Sequence, residues 1–259
     1  MINYSRFIEE CNDLTTSVRN LIHGGELEWG PTDDIPGQHK GDVEVDDLCI
    51  DFFVKRGFNV FSEESGFTKS FLSDSALTVV LDPVDGSTNA SRGIPFSAIS
   101  CALIRGDELL GGYVGELTNG STYWSLRGEG AYWNGNQIHV QARERSLSKS
   151  VVAVNGYPPR HLGWGQFRAF GSAALELCMV ASSQLDAFVD FSYSGLATWD
   201  YLAGVAIIEE AGAFAKVIDP QRLLRGDFFG GRRHIMAAAD ESLAGIICDS
   251  LPKMKISQP

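Results

Sequence analysis

The run Leu81-Asp82-Pro83-Val84-Asp85-Gly86-Ser87-Thr88-Asn89 sets two carboxylates beside a Gly-Ser-Thr turn. The preceding Leu77-Thr78-Val79-Val80-Leu81 is apolar and β-branched, the composition of a buried strand. Gly86, Ser87 and Thr88 are residues of a turn into a helix N-terminus, where unpaired N–H groups attract an anion. Carboxylates in that place repel a phosphate unless hard cations lie between them. The segment therefore reads as a metal-assisted phosphate site.

Two distant segments carry the same chemistry. Phe58-Asn59-Val60-Phe61-Ser62 is a short apolar strand that runs into Glu63-Glu64-Ser65-Gly66. Thr198-Trp199-Asp200-Tyr201-Leu202-Ala203-Gly204 opens a helix rich in small residues, with Thr198 as the expected N-cap and Asp200 in the first turn. If Glu63, Asp82, Asp85 and Asp200 converge, each like-charged pair at ~5 Å costs roughly 3 kcal/mol at an effective dielectric of ~20. Such a cluster calls for a cation. An all-oxygen set without nearby His or Cys favours Mg²⁺, with Mn²⁺ or Ca²⁺ as alternatives, over zinc.

The elements that must position these groups follow from periodicity. Residues 3–23 and 43–56 carry helical patterns. Strands are expected at 77–82, 96–104, 109–117, 121–126 and 131–140, separated by glycine pairs and Asn-Gly turns. The second half alternates: strand 151–155, helix 171–182, strand 185–190, helix 199–211, strands 213–218 and 234–239, helix 241–250. The polar stretch 141–150 marks a lobe boundary. An N-terminal lobe, 1–145, then carries most of the acidic site, and a C-terminal lobe, 146–259, contributes Asp200. The pattern implies an α/β (α+β) layered architecture.

With 33 acidic against 21 basic side chains, a net charge of −12 argues against general nucleic-acid or anionic-membrane binding. The five cysteines (Cys11, Cys49, Cys101, Cys178 and Cys248) are scattered and lack a C-x-x-C, as expected of reduced core residues. No apolar run approaches ~18 residues and no leader pattern opens the chain, so a soluble, cytoplasmic protein is expected. There is no G-x-x-x-x-G-K-[ST] or G-x-G-x-x-G loop, and the Asp82/Asp85 spacing is not Asp-x-Asp. The five histidines (His23, His39, His139, His161 and His234) form no H-E-x-x-H pair and read as surface or packing residues.

Taken in order, Ser62-Glu63-Glu64-Ser65, Asp82-Pro83-Val84-Asp85-Gly86-Ser87-Thr88-Asn89 and Trp199-Asp200-Tyr201-Leu202-Ala203-Gly204 resemble the inositol monophosphatase family. Gly93-Ile94-Pro95-Phe96, Arg127–Gly135, Gly171–Glu176 and Leu185-Asp186-Ala187-Phe188 extend the likeness over most of the chain. The resemblance implies the layered αβαβα sandwich of the inositol monophosphatase and fructose bisphosphatase type. It implies hydrolysis of a small phosphate monoester by metal-activated water, with two or three Mg²⁺ ions and Mn²⁺ as a possible substitute. The implied metal ligands are Glu63, Asp82, the Val84 carbonyl, Asp85 and Asp200. Ser87 with Asp47, helped by Glu63, is expected to orient or deprotonate the water. In the matching stretch Lys40–Asp47, Glu44 stands where the family usually has Thr, and Asp46 competes with Asp47. Gly86 and Ser87 N–H groups are expected to cradle the phosphate, aided by a helix dipole.

Implied substrate contacts are Gly171, Ser172, Ala173, Tyr193 and Asp200. Tyr193 stands where inositol-specific members often carry an acid, which weakens strict inositol specificity because a phenol cannot accept a bidentate diol. Arg168 is open to either a substrate or a structural role. Inositol monophosphate, fructose 1,6-bisphosphate, histidinol phosphate and 3′-phosphoadenosine 5′-phosphate all stay open. So does a Mg²⁺-dependent phosphotransferase. A reading from another class is an interaction scaffold docking through Arg232-Arg233-His234 or Arg143-Glu144-Arg145. The resemblance also implies a homodimer.

Overall fold

The computed structural model describes residues 4–25, 27–32, 39–70, 77–141, 146–218 and 228–251. The first helices, α1 (Ser5–His23) and α2 (Lys40–Val54), each bury one stripe, as a helix on a sheet face must. In α1 the stripe is Phe7, Cys11, Leu14 and Val18; in α2 it includes Val45, Cys49 and Phe53. Next come β1 (Asn59–Ser62), β2 (Gly66–Thr68), β3 (Leu77–Asp85), a short helix α3 (Ser87–Ser91), β4 (Ala98–Arg105), β5 (Glu108–Glu116), β6 (Thr122–Leu126), β7 (Gly130–Trp133) and β8 (Asn136–Ile138). These strands form one sheet in the order β2-β1-β3-β4-β5-β6-β7-β8. Only β1 and β3 pair parallel within it.

A smaller sheet, order β10-β9-β11-β13-β12, is built from β9 (Val151–Gly156), β10 (Gln166–Arg168), β11 (Ala187–Phe191), β12 (Phe214–Val217) and β13 (Ile235–Ala238). Helices α4 (Ala173–Ala181) and α5 (Thr198–Glu210) lie between the sheets, and α6 (Glu241–Ser250) covers the outer face. The period-two alternation of the strands sorts their side chains into these layers. Val79 and Leu81 of β3 join α1 and α2, whereas Val80 joins α4 and α5. In the small sheet Ala153 and Phe188 face the central helices, while Val152 and Val189 face α6. The layers are thus α, β, α, β, α. A fully buried Leu or Phe in them contributes about 1.5–3 kcal/mol.

Because α5 is covered from both sides, Val205, Ala206, Ile207 and Ile208 are all buried, and no polar face remains. Its close approach requires glycine at Gly112, where a Cβ would meet the Ala203 carbonyl oxygen at 2.3 Å.

The structure refines several sequence expectations. The strand expected over 131–140 is two strands, because Asn134 (φ 49°) and Gly135 (φ 76°) form a left-handed two-residue hairpin turn. The three-residue strands β2 and β10 escape a pattern reading because they are too short to show alternation. Helix α2 begins at Lys40 rather than 43, and Thr198 is the first residue of α5 rather than its cap. Its hydroxyl instead donates to the Phe228 carbonyl at 2.8 Å. Of the polar stretch 141–150, residues 142–145 lie outside the described residues, as does the Arg143-Glu144-Arg145 patch. No described helix is long and apolar enough to cross a membrane.

Candidate active site

Strand β3 delivers both central carboxylates. Its pairing with β4 slips between Asp82, opposite Ser100, and Asp85, opposite Ala98, so the chain bulges at Pro83-Val84. Proline has no N–H to lose there. The Val84 N–H donates to Asp82 Oδ1 at 3.0 Å, and the Val84 side chain packs into the α1/α2 core. That leaves only the Val84 carbonyl for any site role.

Asp85 is gripped by the N-terminus of α4. Ser172 Oγ and the Ala174 N–H each donate to its Oδ2 at 2.7 Å, and the Ala173 N–H reaches Oδ1 at 3.3 Å. A carboxylate suits the positive end of a helix dipole. Burial nevertheless raises its pKa to about 6 against those three donors. Ser172 is fully buried, and Ala173 is nearly so. The structure therefore gives both residues an anchoring contact to Asp85. Buried Glu176 steadies the same turn by accepting from the Phe170 N–H at 2.8 Å.

Asp200 sits in the first turn of α5, where its Oδ2 accepts the Ala197 N–H at 2.7 Å. Glu63 follows β1 directly, its N–H donating to the Leu81 carbonyl at 3.2 Å. Parallel pairing of β1 with β3 thus sets Glu63 beside Asp82. One oxygen each from Glu63, Asp82 and Asp200 lies within 4.8 Å of the others. Burial and crowding raise their pKa values. Burial, then Asp200, Glu64 and Asp42, push Glu63 up to about 8. Burial and Asp85 push Asp200 to about 7, opposed by the Ala197 N–H and by Arg232. Burial followed by Glu63, Asp85 and Asp200 drives Asp82 well above the carboxylate range. A divalent ion with oxygen preference fits this donor set, since its charge offsets both the burial and the mutual repulsion that raise these carboxyls.

The structure places Asp47 on the exposed face of α2. Asp42 and Asp46 are the buried carboxylates of that helix. Residues four apart share a helix face, and the next residue is turned about 100° off it. Asp46 accepts short hydrogen bonds from the Ser62 and Ser65 hydroxyls and so ties α2 to the Glu63-Glu64 loop. Asp42 faces the site. Burial and Glu64 raise it to about 6, whereas His39 and the Ser87 hydroxyl favour its charged form. Its buried Oδ1 has no hydrogen-bond partner among the described residues. The signal for Asp42 was available: 42, 45, 46, 49 and 53 form one helical stripe, and 47 does not belong to it.

Gly86 has φ 89°, and a Cβ there would meet the Gly171 carbonyl oxygen at 2.9 Å. Its lack of a side chain lets the Gly171–Ala173 turn close on Asp85. Asn89 clamps the same junction, donating to the Phe96 and Phe170 carbonyls at 2.8 and 2.7 Å. Helix α3 has only 5 residues. The expected dipole contribution is therefore small, and any anion binding at Gly86-Ser87 rests on individual N–H groups. Tyr193 stands fully exposed in the loop after β11. Arg168 is occupied locally, by the Phe167 carbonyl and Gln166 Oε1 at 2.8 Å each.

An acidic cluster that could hold a cation, set on a five-layer α/β fold, is an arrangement that comparison with known proteins places among phosphatases. The sequence profile of the inositol monophosphatase family matches residues 42–254. A fructose-1,6-bisphosphatase/inositol-1-monophosphatase of Archaeoglobus fulgidus is 34% identical over 206 residues, covering 78% of this chain and 79% of that protein. An inositol-1-monophosphatase of Mesorhizobium japonicum is 33% identical over 205 residues, 71% of this chain and 74% of its own. Among solved structures, a Pyrococcus horikoshii protein described as similar to inositol-1 monophosphatase superposes with TM-score 0.81 at 29% identity, over 96% of this chain and 98% of that one. The chain belongs to the inositol monophosphatase family, and its reaction is hydrolysis of phosphate monoesters.

Proposed function

We propose that this protein is a Mg²⁺-dependent phosphatase for inositol monophosphate or a related small sugar phosphate. The observation that carries the reading is the convergence of Glu63, Asp82 and Asp200 from three separate elements to within 4.8 Å. Glu63, Asp82, the Val84 carbonyl, Asp85 and Asp200 would hold two or three ions, with Mn²⁺ as a substitute. Bound cations lower the pKa of water and offset charge on the phosphoryl oxygens.

The chain's own residues do the rest. The Ser87 hydroxyl lies close enough to Asp42 to favour its charged form, so it would take a proton from water while passing its own to the buried carboxylate. This assigns to Asp42 the part expected of Asp47. The N–H groups of Gly86 and Ser87 face the phosphate, and Asp200 the leaving-group side. Gly171, on the surface beside Gly86, is the member of the Gly171–Ala173 turn left to meet the sugar. Exposed Tyr193 can contact a ring from the mouth.

The protein would work as a cytoplasmic homodimer whose 1–145 and 146–259 lobes meet at the site. The free, buried Cys11, Cys49, Cys101 and Cys178 suit a reducing compartment. The scaffold reading is weakened by the engagement of Arg233 with the Tyr201 hydroxyl and of His234 with Asp190.

The test is phosphate release from inositol 1-phosphate, fructose 1,6-bisphosphate, histidinol phosphate and 3′-phosphoadenosine 5′-phosphate in Mg²⁺. Fastest release from one of the first two supports the reading. Preference for either of the others reassigns the substrate, and no release from any, with metal bound, favours the scaffold.

A further inference from the structure

Arg232 is a cation that the site as described does not use. The segment carrying it is held firmly. The Thr198 hydroxyl donates to the Phe228 carbonyl, and Leu196 and Arg233 exchange backbone hydrogen bonds at 2.8 and 2.9 Å. Next to Arg232, Arg233 is buried and donates to the Tyr201 hydroxyl at 3.2 Å and the Gly230 carbonyl at 3.1 Å. Phe229 packs edge-on against Phe61 and Phe67, with centroids 5.1 and 5.9 Å apart. This backbone directs the Arg232 side chain back over the acidic cluster. Its Nη1 donates to the Gly195 carbonyl at 3.2 Å and lies 3.9 Å from Asp200 Oδ2. Its charge also reaches Glu63. Two of the three convergent carboxylates thus feel one guanidinium, which is half exposed.

A cation placed there has opposite effects in the two states of the site. Without a divalent ion it offsets repulsion among Glu63, Asp82 and Asp200. With an ion on those oxygens it faces a like charge. We propose that Arg232 is a counter-cation built into the fold, one that steadies the metal-free acidic cluster and thereby weakens its affinity for a divalent cation. The proposal rests on the cluster being the cation site, as proposed above. Arg232 is a positioning residue in this scheme and touches no reacting atom.

The size of the effect follows from charge and distance. A unit charge about 6 Å from a divalent ion, in a water-like dielectric suited to an exposed side chain, opposes binding about tenfold, and a trivalent ion about thirtyfold. The experiment is calorimetric titration of the whole protein with Mg²⁺, and with Tb³⁺ read by luminescence, in the absence of substrate. Wild type is compared with Arg232→Gln and Arg232→Lys. Arg232→Gln should bind Mg²⁺ about tenfold and Tb³⁺ about thirtyfold more tightly. It should also melt lower than wild type in chelator yet gain more from Mg²⁺. Arg232→Lys, which keeps the charge, should stay within about threefold of wild type on the same argument. Unchanged or weaker binding in Arg232→Gln, equal effects on the two ions, or Arg232→Lys behaving as Arg232→Gln would overturn the proposal. Absence of cation binding in the wild type would instead overturn the metal-site reading, and the proposal with it.

Discussion

Replacing Asp200 by Asn should abolish turnover and yet stabilise the metal-free protein. The Asp200 pKa is raised from an ordinary 3.8 to about 7, chiefly by burial and then by Asp85. A carboxyl whose folded pKa exceeds its unfolded one adds stability only while protonated. That contribution is whole below about pH 4 and is lost as pH rises through about 7. The span corresponds to a ceiling of about 4 kcal/mol, at ~1.4 kcal/mol per tenfold change in proton activity. Asparagine keeps an oxygen for the Ala197 N–H but loses the attraction of Arg232 at 3.9 Å. A net gain of roughly 2–3 kcal/mol at pH 7.5 remains, about 5–10 °C in melting temperature for a chain of this size. The assay is urea and thermal unfolding in chelator between pH 4 and 8. The difference between Asp200→Asn and wild type should vanish near pH 4 and grow toward neutrality. In Mg²⁺ the wild type should recover and the mutant should not. A mutant no more stable than wild type at pH 7.5 in chelator would refute the reasoning.

The pair Asp42→Asn and Asp47→Asn separates the two candidate water-orienting acids. The buried Asp42 substitution should lower kcat by about 100-fold or more, and the exposed Asp47 substitution should change it less than about threefold. Ser172→Ala removes a buried 2.7 Å hydroxyl bond to Asp85 and should cost about 1.5–3 kcal/mol in urea unfolding. Gly112→Ala pushes a methyl into the Ala203 carbonyl, 2.3 Å from the built Cβ. It should cost more than about 2 kcal/mol, by wedging α5 off the large sheet.

Much of this site could be read from residue order, because strand ends and helix starts fix where a side chain goes. Asp82 and Asp85 flank the bulge at the end of the apolar strand β3, Glu63 directly follows β1, and Asp200 lies in a helix first turn. Those positions depend on local sequence alone. What escaped the sequence was tertiary. Nothing in the local sequence ties Ser172 to Asp85, a contact between residues 87 apart that forms because Gly86 lets the Gly171–Ala173 turn close in. Thr198 has the composition of an N-cap, yet Ala197 occupies that position because the Thr198 hydroxyl finds the Phe228 carbonyl. In the Lys40–Asp47 stretch the expectation fell on Asp47 with Asp46 as its competitor, whereas the 3.6-residue period of α2 buries Asp42 and Asp46 and leaves Asp47 exposed. The same holds for the fold. The doubly buried strand β3 and helix α5 show as continuous apolar runs, but the three-residue strands β2 and β10 carry no periodic signal.

The most direct test of the central claim is phosphate release by wild type and Asp82→Asn in Mg²⁺, in chelator, and in chelator followed by Mg²⁺ or Zn²⁺. Asp82 touches all the other acids of the cluster through its charge and lies at its buried end. The account predicts release in Mg²⁺ alone, its loss in chelator, better recovery with Mg²⁺ than with Zn²⁺, and none at any stage from Asp82→Asn. Release that survives chelation, or that persists in Asp82→Asn, would contradict it.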